Sequence, residues 1–198
     1  MKVTRLEPGF QKKVKVFIDD EYGFLLYTGD IRRYKLEEDM ELSDELYHQI
    51  IEETVYRRAR QKALAILKRA DRTELELRQK LKQAEYTEVI INRTIDYINS
   101  YHYLDDKRYA QNYFTYKKSS KSSKQIRMEL VQKGIDKEMI NSIMEEEGFS
   151  EEEAIQKAIR KKTKDIDALS FEQKQKIAAY LYRKGFSQDI ICKFINFR

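Results

Sequence analysis

The chain has 198 residues, 41% apolar and 37% charged, with six glycines, one proline, one cysteine and no tryptophan. That much apolar side chain excludes wholesale disorder, and so little glycine and proline favours helices with solvated outer faces. Charge is uneven: residues 1–56 hold 8 Lys/Arg against 13 Asp/Glu, a net −5, so residues 57–198 hold 31 against 21, a net +10, and the basic segment suits an anionic partner.

No apolar run approaches the roughly 18 residues of a membrane span, and the N-terminus lacks the basic-then-apolar pattern of a leader. A soluble cytoplasmic protein without membrane contact is expected. Cys192, with only His48 and His102 beside it, offers neither an internal disulfide nor a zinc set, so a buried structural cysteine is expected.

The first forty residues differ from the rest. Val14, Val16 and Ile18 alternate with Lys13, Lys15 and Phe17; Asp19-Asp20-Glu21 forms a polar turn; Tyr22, Phe24 and Leu26 follow. Period two about a polar turn predicts an antiparallel β-hairpin. Thr28-Gly29-Asp30 reads as a second turn, after which residues 31–36 offer a third short strand. A lone hairpin is marginal in water, so this sheet is expected to pack on the helix that follows.

Ser43 is a good N-cap for a helical stretch with Leu46, Tyr47, Ile50, Ile51, Thr54 and Val55 at spacings of three and four. The pattern runs toward Ala70 without glycine or proline, and one helix or two would satisfy it.

Beyond that point the chain repeats itself. Capping boxes stand at Thr73-x-x-Glu76, Ser122-x-x-Gln125 and Ser170-x-x-Gln173. Each opens a helix with apolar residues four apart, Leu77/Leu81, Ile126/Leu130 and Ile177/Leu181, ending at Glu85, Gly134 or Gly185. The two glycines are natural left-handed caps, whereas Glu85 predicts a less tight or differently closed turn. Tyr86-Thr87, Ile135-Asp136 and Phe186-Ser187 then restart the chain as a helix carrying Ile90/Ile91, Met139/Ile140 and Ile190/Ile191. Upstream of each hairpin lies one more helix, marked by Ala63-Leu64-x-x-Leu67, Ala110-x-x-x-Phe114 and Ala154-Ile155-x-x-Ala158-Ile159, the latter two capped by Asp105 and Ser150.

The predicted fold is therefore mainly α: three tandem three-helix repeats in an elongated, curved array, preceded by a small antiparallel β-hairpin or three-stranded sheet and a helix. Its expected boundaries are a β extension at 1–42, a helical connection at 43–56, and repeats at 57–100, 101–146 and 147–198.

No nucleophile with a base, metal cluster or phosphate loop is visible, so neither an enzyme nor a cofactor is expected. His102, in Tyr101-His102-Tyr103, reads as a hinge or packing residue before a base. Basic clusters are the better candidates for contact: Arg57, Arg58, Arg60 and Lys62 lead into the first repeat. Lys117, Lys118, Lys121 and Lys124 join helices in the second, and Arg160, Lys161, Lys162 and Lys164 do so in the third. Cations at helix C-termini also offset the dipole, and the Lys-Ser-Ser-Lys-Ser-Ser-Lys run equally suits a solvated loop. Tyr109 and Tyr113 stand at core spacing, which leaves Tyr116 the freer candidate for stacking an unpaired base.

Leu77-Arg78-x-x-Leu81, Ile126-Arg127-x-x-Leu130-x-x-x-Gly134-Ile135 and Leu104-Asp105-Asp106-x-x-Tyr109-Ala110 together resemble the RecX family over about residues 57–198. The resemblance implies a monomeric helical repeat protein that lodges in the groove of the RecA filament on single-stranded DNA. It further implies suppression of strand exchange and co-protease activity, as a regulator of homologous recombination, DNA repair and the SOS response. Direct binding to single- or double-stranded DNA by the basic segment is the alternative that composition leaves open.

Overall fold

A computed structural model describes residues 1–197, which fall into two compact units, 1–104 and 105–197. The first unit begins with a three-stranded antiparallel sheet, β1 (Val3–Pro8), β2 (Lys13–Ile18) and β3 (Glu21–Tyr27), in that spatial order. Asp19 and Asp20, at φ 49° and 67°, form the two-residue β2–β3 loop with both central residues left-handed, as a tight hairpin turn requires. Val14, Val16 and Ile18 point inward by alternation, and Phe24 and Leu26 join them from β3.

The third strand comes from a different place than expected. Residues 31–36 do not extend the sheet, because Thr28–Tyr34 forms helix α1. Asp30, read above as part of a turn, accepts the Tyr27 amide at 2.9 Å and opens the helix, while Ile31 and Tyr34, three apart, pack on the core. The sheet's third member is β1, an edge strand ending at Pro8, of which only Val3 is buried, so its inward pattern is weak.

The stretch after Ser43 is one continuous helical path: α2 (Asp44–Ile50), a π-helical stretch Ile51–Tyr56, and α3 (Arg57–Arg69), with αR backbone at both junctions. Ser43 Oγ caps it by accepting from the Leu46 amide. The sheet rests on this helix as expected, sharing one core with Ile50, Ile51, Val55 and Ala59. Within the π-helical stretch the buried Thr54 hydroxyl meets the Tyr34 hydroxyl at 2.7 Å.

Three helix sets follow. The first joins α3 to α4 (Glu74–Gln83) and α5 (Glu88–Ser100); the second is α6 (Asp106–Lys117), α7 (Ser123–Gln132) and α8 (Lys137–Glu146); the third is α9 (Glu152–Arg160), α10 (Phe171–Arg183) and α11 (Gln188–Phe194). Each set has its own apolar cluster, centred on Leu77 and Leu81, on Ile126 and Leu130, and on Ile177 and Leu181.

The turn inside each hairpin has one geometry. Tyr86 donates to the Leu81 carbonyl at 3.3 Å, Ile135 to Leu130 at 3.0 Å and Phe186 to Leu181 at 3.2 Å. Glu85, Gly134 and Gly185 donate to carbonyls three residues back, completing a Schellman motif each time. Glu85 therefore closes its turn as tightly as the glycines do, at φ 65° against 86° and 87°. Its strained backbone is held from outside: Lys15 of β2 lies 3.0 Å from its carboxylate, and Tyr22 of β3 donates to its carbonyl at 2.5 Å. Burial, with the Glu85 charge nearby, pushes the Tyr22 phenol up to about 12.

Other local expectations need correction. Thr73 and Ser170 form reciprocal boxes, but at Ser122 just one half of the box forms, the Gln125 amide donating to the Ser122 hydroxyl, because the Gln125 side chain turns to Glu129 instead. Thr87 makes no side-chain cap, and Ser150 bonds the Glu152 amide at 3.4 Å from one position before the N-cap. Cys192 is exposed rather than buried. Ile191 faces the core of α11, and its neighbour is carried about 100° around the helix toward solvent.

Cys192 also marks a departure between repeats. Arg78 Nη1 donates to Asn92 Oδ1 at 2.7 Å across the first hairpin, and Arg127 donates to Asn141 in the same way across the second. Counted from the turn, those positions in the third hairpin are Ala178 and Cys192, which cannot make that bond. The arginine of each Arg-x-x-Leu segment is thus a clasp between two helices.

Candidate interaction site

The basic clusters do not share one fate. In the first, Arg58 is committed internally: both terminal nitrogens hold the buried Asp30 carboxylate, at 2.5 and 3.0 Å. Burial pushes the Asp30 carboxyl up, but Arg58 and the Tyr27 amide outweigh it and hold it below the ordinary range. Arg60 lies between the rings of Tyr56 and Tyr97, 4.7 and 4.9 Å from their centroids. Arg57 and Lys62 are exposed. All four belong to the unit 1–104.

The second cluster also divides. Tyr116 is exposed, with Lys117 Nζ 4.4 Å over its ring, and Lys118 pairs with Glu147 at 3.6 Å. Lys121 reaches both Glu129 oxygens at 2.5 and 2.6 Å, and Tyr113 donates to the same carboxylate. Burial raises the Glu129 carboxyl, yet Lys121 and Tyr113 together bring it below its usual value; burial and that carboxylate drive the Tyr113 phenol well above its own. Lys124 is exposed.

A buried hydroxyl is one of the contacts between repeats two and three, beside the Ser123 amide, which donates to the Glu151 carboxylate at 2.6 Å. Ser122 Oγ, while accepting from the Gln125 amide, donates to the Lys184 carbonyl at 2.7 Å, which sets the start of α7 against the end of α10. Gly185 permits the approach, since a Cβ there would fall 2.7 Å from Ser122 Oγ. Beside this contact is a hollow lined by Lys121, Lys157, Arg160, Lys161, Lys184 and Tyr180, with no acidic residue in its wall. Lys162 Nζ lies 4.6 Å and Lys184 Nζ 5.9 Å from the Tyr180 ring centroid.

Lys121 and Lys157 have carboxylate partners, Glu129 and Glu153. Arg160, Lys161 and Lys184 have none among the described residues, so their charge is left to attract an outside anion. A second hollow adjoins across Gln125, Tyr180 and Lys184, adding Lys124 and Arg183. The fold thus gathers Lys121, Lys124, Arg160, Lys161 and Lys162 on one side of the second unit, while Lys164 stays on the α9–α10 connection outside the hollow lining.

Lys157, Tyr180, Arg183 and Lys184 were missed by sequence reasoning. Lys157 was legible as the residue one helical turn before Arg160 and Lys161. The others depend on α7 meeting α10, which no local pattern encodes. Among the described residues no three His, Cys, Asp or Glu side chains lie close enough to hold a metal ion, and no helix is long and apolar enough to cross a membrane.

Family models for the first, second and third three-helix domains of RecX match residues 59–97, 105–144 and 150–195. A protein named regulatory protein RecX in Clostridium acetobutylicum is 31% identical over 193 residues, spanning 93% of this chain and 90% of its own. A protein of the same name in Clostridioides difficile is 30% identical, over 93% and 88%. Among solved structures, a crystal structure of regulatory protein RecX superposes with TM-score 0.64 at 22% identity, covering 100% of this chain and 99% of that one. RecX from Lactobacillus salivarius gives 0.58 at 26% identity, covering 70% and 92%.

Proposed function

We propose, from the premise that this chain belongs to the RecX family of regulatory proteins, that it binds the RecA filament on single-stranded DNA and suppresses recombinase and co-protease activity. It acts as a cytoplasmic monomer without catalysis of its own, modulating DNA repair, with 57–100, 101–146 and 147–198 as its repeats and 1–42 as an added sheet. The observation that carries the reading beyond the family is the acid-free hollow around Tyr180, where Arg160, Lys161 and Lys184 stand without carboxylate partners among the described residues. Such a cluster steers an acidic surface into register and suppresses approach of a basic one.

The test is strand exchange and ATP hydrolysis by the cognate RecA on single-stranded DNA, with this protein added below stoichiometry. Wild type is expected to inhibit, and a variant combining Arg160→Glu, Lys161→Glu and Lys184→Glu to lose inhibition with its helix content intact. The same cations support a second reading, a general nucleic-acid module in which phosphates fill the hollow. In that case binding to bare single strands falls with salt at a log–log slope of about −0.7 per phosphate neutralised. Absence of inhibition at any ratio, alongside tight salt-sensitive binding to bare DNA, would decide for the second reading.

A further inference from the structure

The basic hollows continue into a surface of different chemistry. A third hollow on the α7–α8 hairpin shares Met128 and Gln132 with the one beside it and has an apolar floor of Met128, Val131 and Ile140. Met128 is 54% and Val131 40% exposed. The hairpin fold does not require apolar residues at those two positions. At the same distances from the turn, the first repeat has Gln79 and Lys82, and Lys82 there pairs with Glu88 at 2.9 Å. Adjacent large apolar side chains kept in water at a place where a sister repeat is polar mark an interaction surface rather than a core.

The rim selects the occupant. Lys124, Lys137 and Arg183 border the two adjoining hollows, and none has a carboxylate partner among the described residues. The one acid in their linings, Glu129, is held by Lys121. We infer that the groove over Met128 and Val131 docks an acidic amphipathic protein segment, its apolar side chains on those two residues and its carboxylates against Lys124, Lys137 and Arg183. A nucleic-acid strand would use the cations and leave the aliphatic floor without purpose. The inference rests on the functional reading above and names what the regulated partner presents: on that reading, a segment of a RecA protomer.

The experiment uses the full chain with Met128→Gln and Val131→Gln combined. These exchanges leave the charge unchanged, and Gln is a better helix former than Val. Binding to RecA filaments on single-stranded DNA, to bare single-stranded DNA, and the mass of the protein alone by sedimentation are measured together. The expected result is filament binding weakened roughly tenfold or more, as for loss of a central anchor, with DNA affinity, mass and thermal stability unchanged. Filament binding equal to wild type overturns the docking groove and leaves the functional reading standing. So does an equal loss on filament and bare DNA, which would make the groove a nucleic-acid contact, or a change in mass, which would make it a contact between copies. Wild type that fails to bind the filament at all overturns the functional reading and the assigned partner with it.

Discussion

Replacing Ser122 by alanine tests whether one hydroxyl joins the second and third repeats. Ser122 is fully buried and makes two bonds: it accepts from the Gln125 amide as an N-cap and donates to the Lys184 carbonyl. Loss of an N-cap costs about 1 kcal/mol, and loss of one further hydrogen bond costs about 1 kcal/mol more. Ser122→Ala is therefore expected to destabilise by about 2 kcal/mol. Ser170 supplies the internal control, since it is exposed, accepts from the Gln173 amide and, among the described residues, makes no bond to another repeat. Ser170→Ala should cost about 1 kcal/mol. At a chain length where 1 kcal/mol shifts the melting midpoint by about 2–4 °C, the two variants should separate by a similar amount. Urea denaturation with an unchanged m-value would assign the difference to the native state. Equal effects of the two substitutions would refute the claim that Ser122 links the repeats.

The same contact makes Gly185 irreplaceable. Gly185→Ala places a Cβ at φ 87° against Ser122 Oγ and 3.2 Å from Lys124 Cβ and is expected to cost about 2 kcal/mol or more, of which roughly 1–2 is the left-handed backbone; in a Ser122→Ala background the cost should fall toward that backbone part and the Lys124 contact. A double-mutant cycle reads the coupling, and strict additivity would show that the two residues do not touch. For pH, the Glu129 carboxyl titrates below its ordinary value in the folded chain. Its contribution is thus present above the unfolded-state value and lost as pH falls through the lowered folded one. The stability gap between wild type and Glu129→Gln should shrink as pH falls below the ordinary glutamate value of 4.5, and urea midpoints that stay a constant distance apart would contradict it.

What was legible in the sequence was local. Caps at Thr73, Ser122 and Ser170, the restart after each turn and the alternation of β2 rest on neighbours within a few residues, and each is where the pattern puts it. Thr28-Gly29-Asp30 misled because the same residues that favour turns also begin helices, and the choice falls to Asp30, which reaches Arg58 twenty-eight positions on. Likewise, the four cations of the first cluster look alike in one dimension, yet among the described residues only Arg57 and Lys62 are without a ring or carboxylate partner. The hollow around Tyr180 was half visible: Arg160 and Lys161 at the end of α9 belong to a basic run, but Lys184 arrives through a contact sixty-two residues away.

Glu85 gives the repeats a fixed place in the chain. Each hairpin closes by the same bonds, which would make the three exchangeable cassettes. The first, however, uses a glutamate where the others use glycine, and Lys15 and Tyr22 of the sheet hold it there. Transplanted to another position, that hairpin would keep its backbone strain and lose its splint. Shuffling, duplication or deletion of repeats is then constrained from one end, because the sheet and the first hairpin must be inherited together.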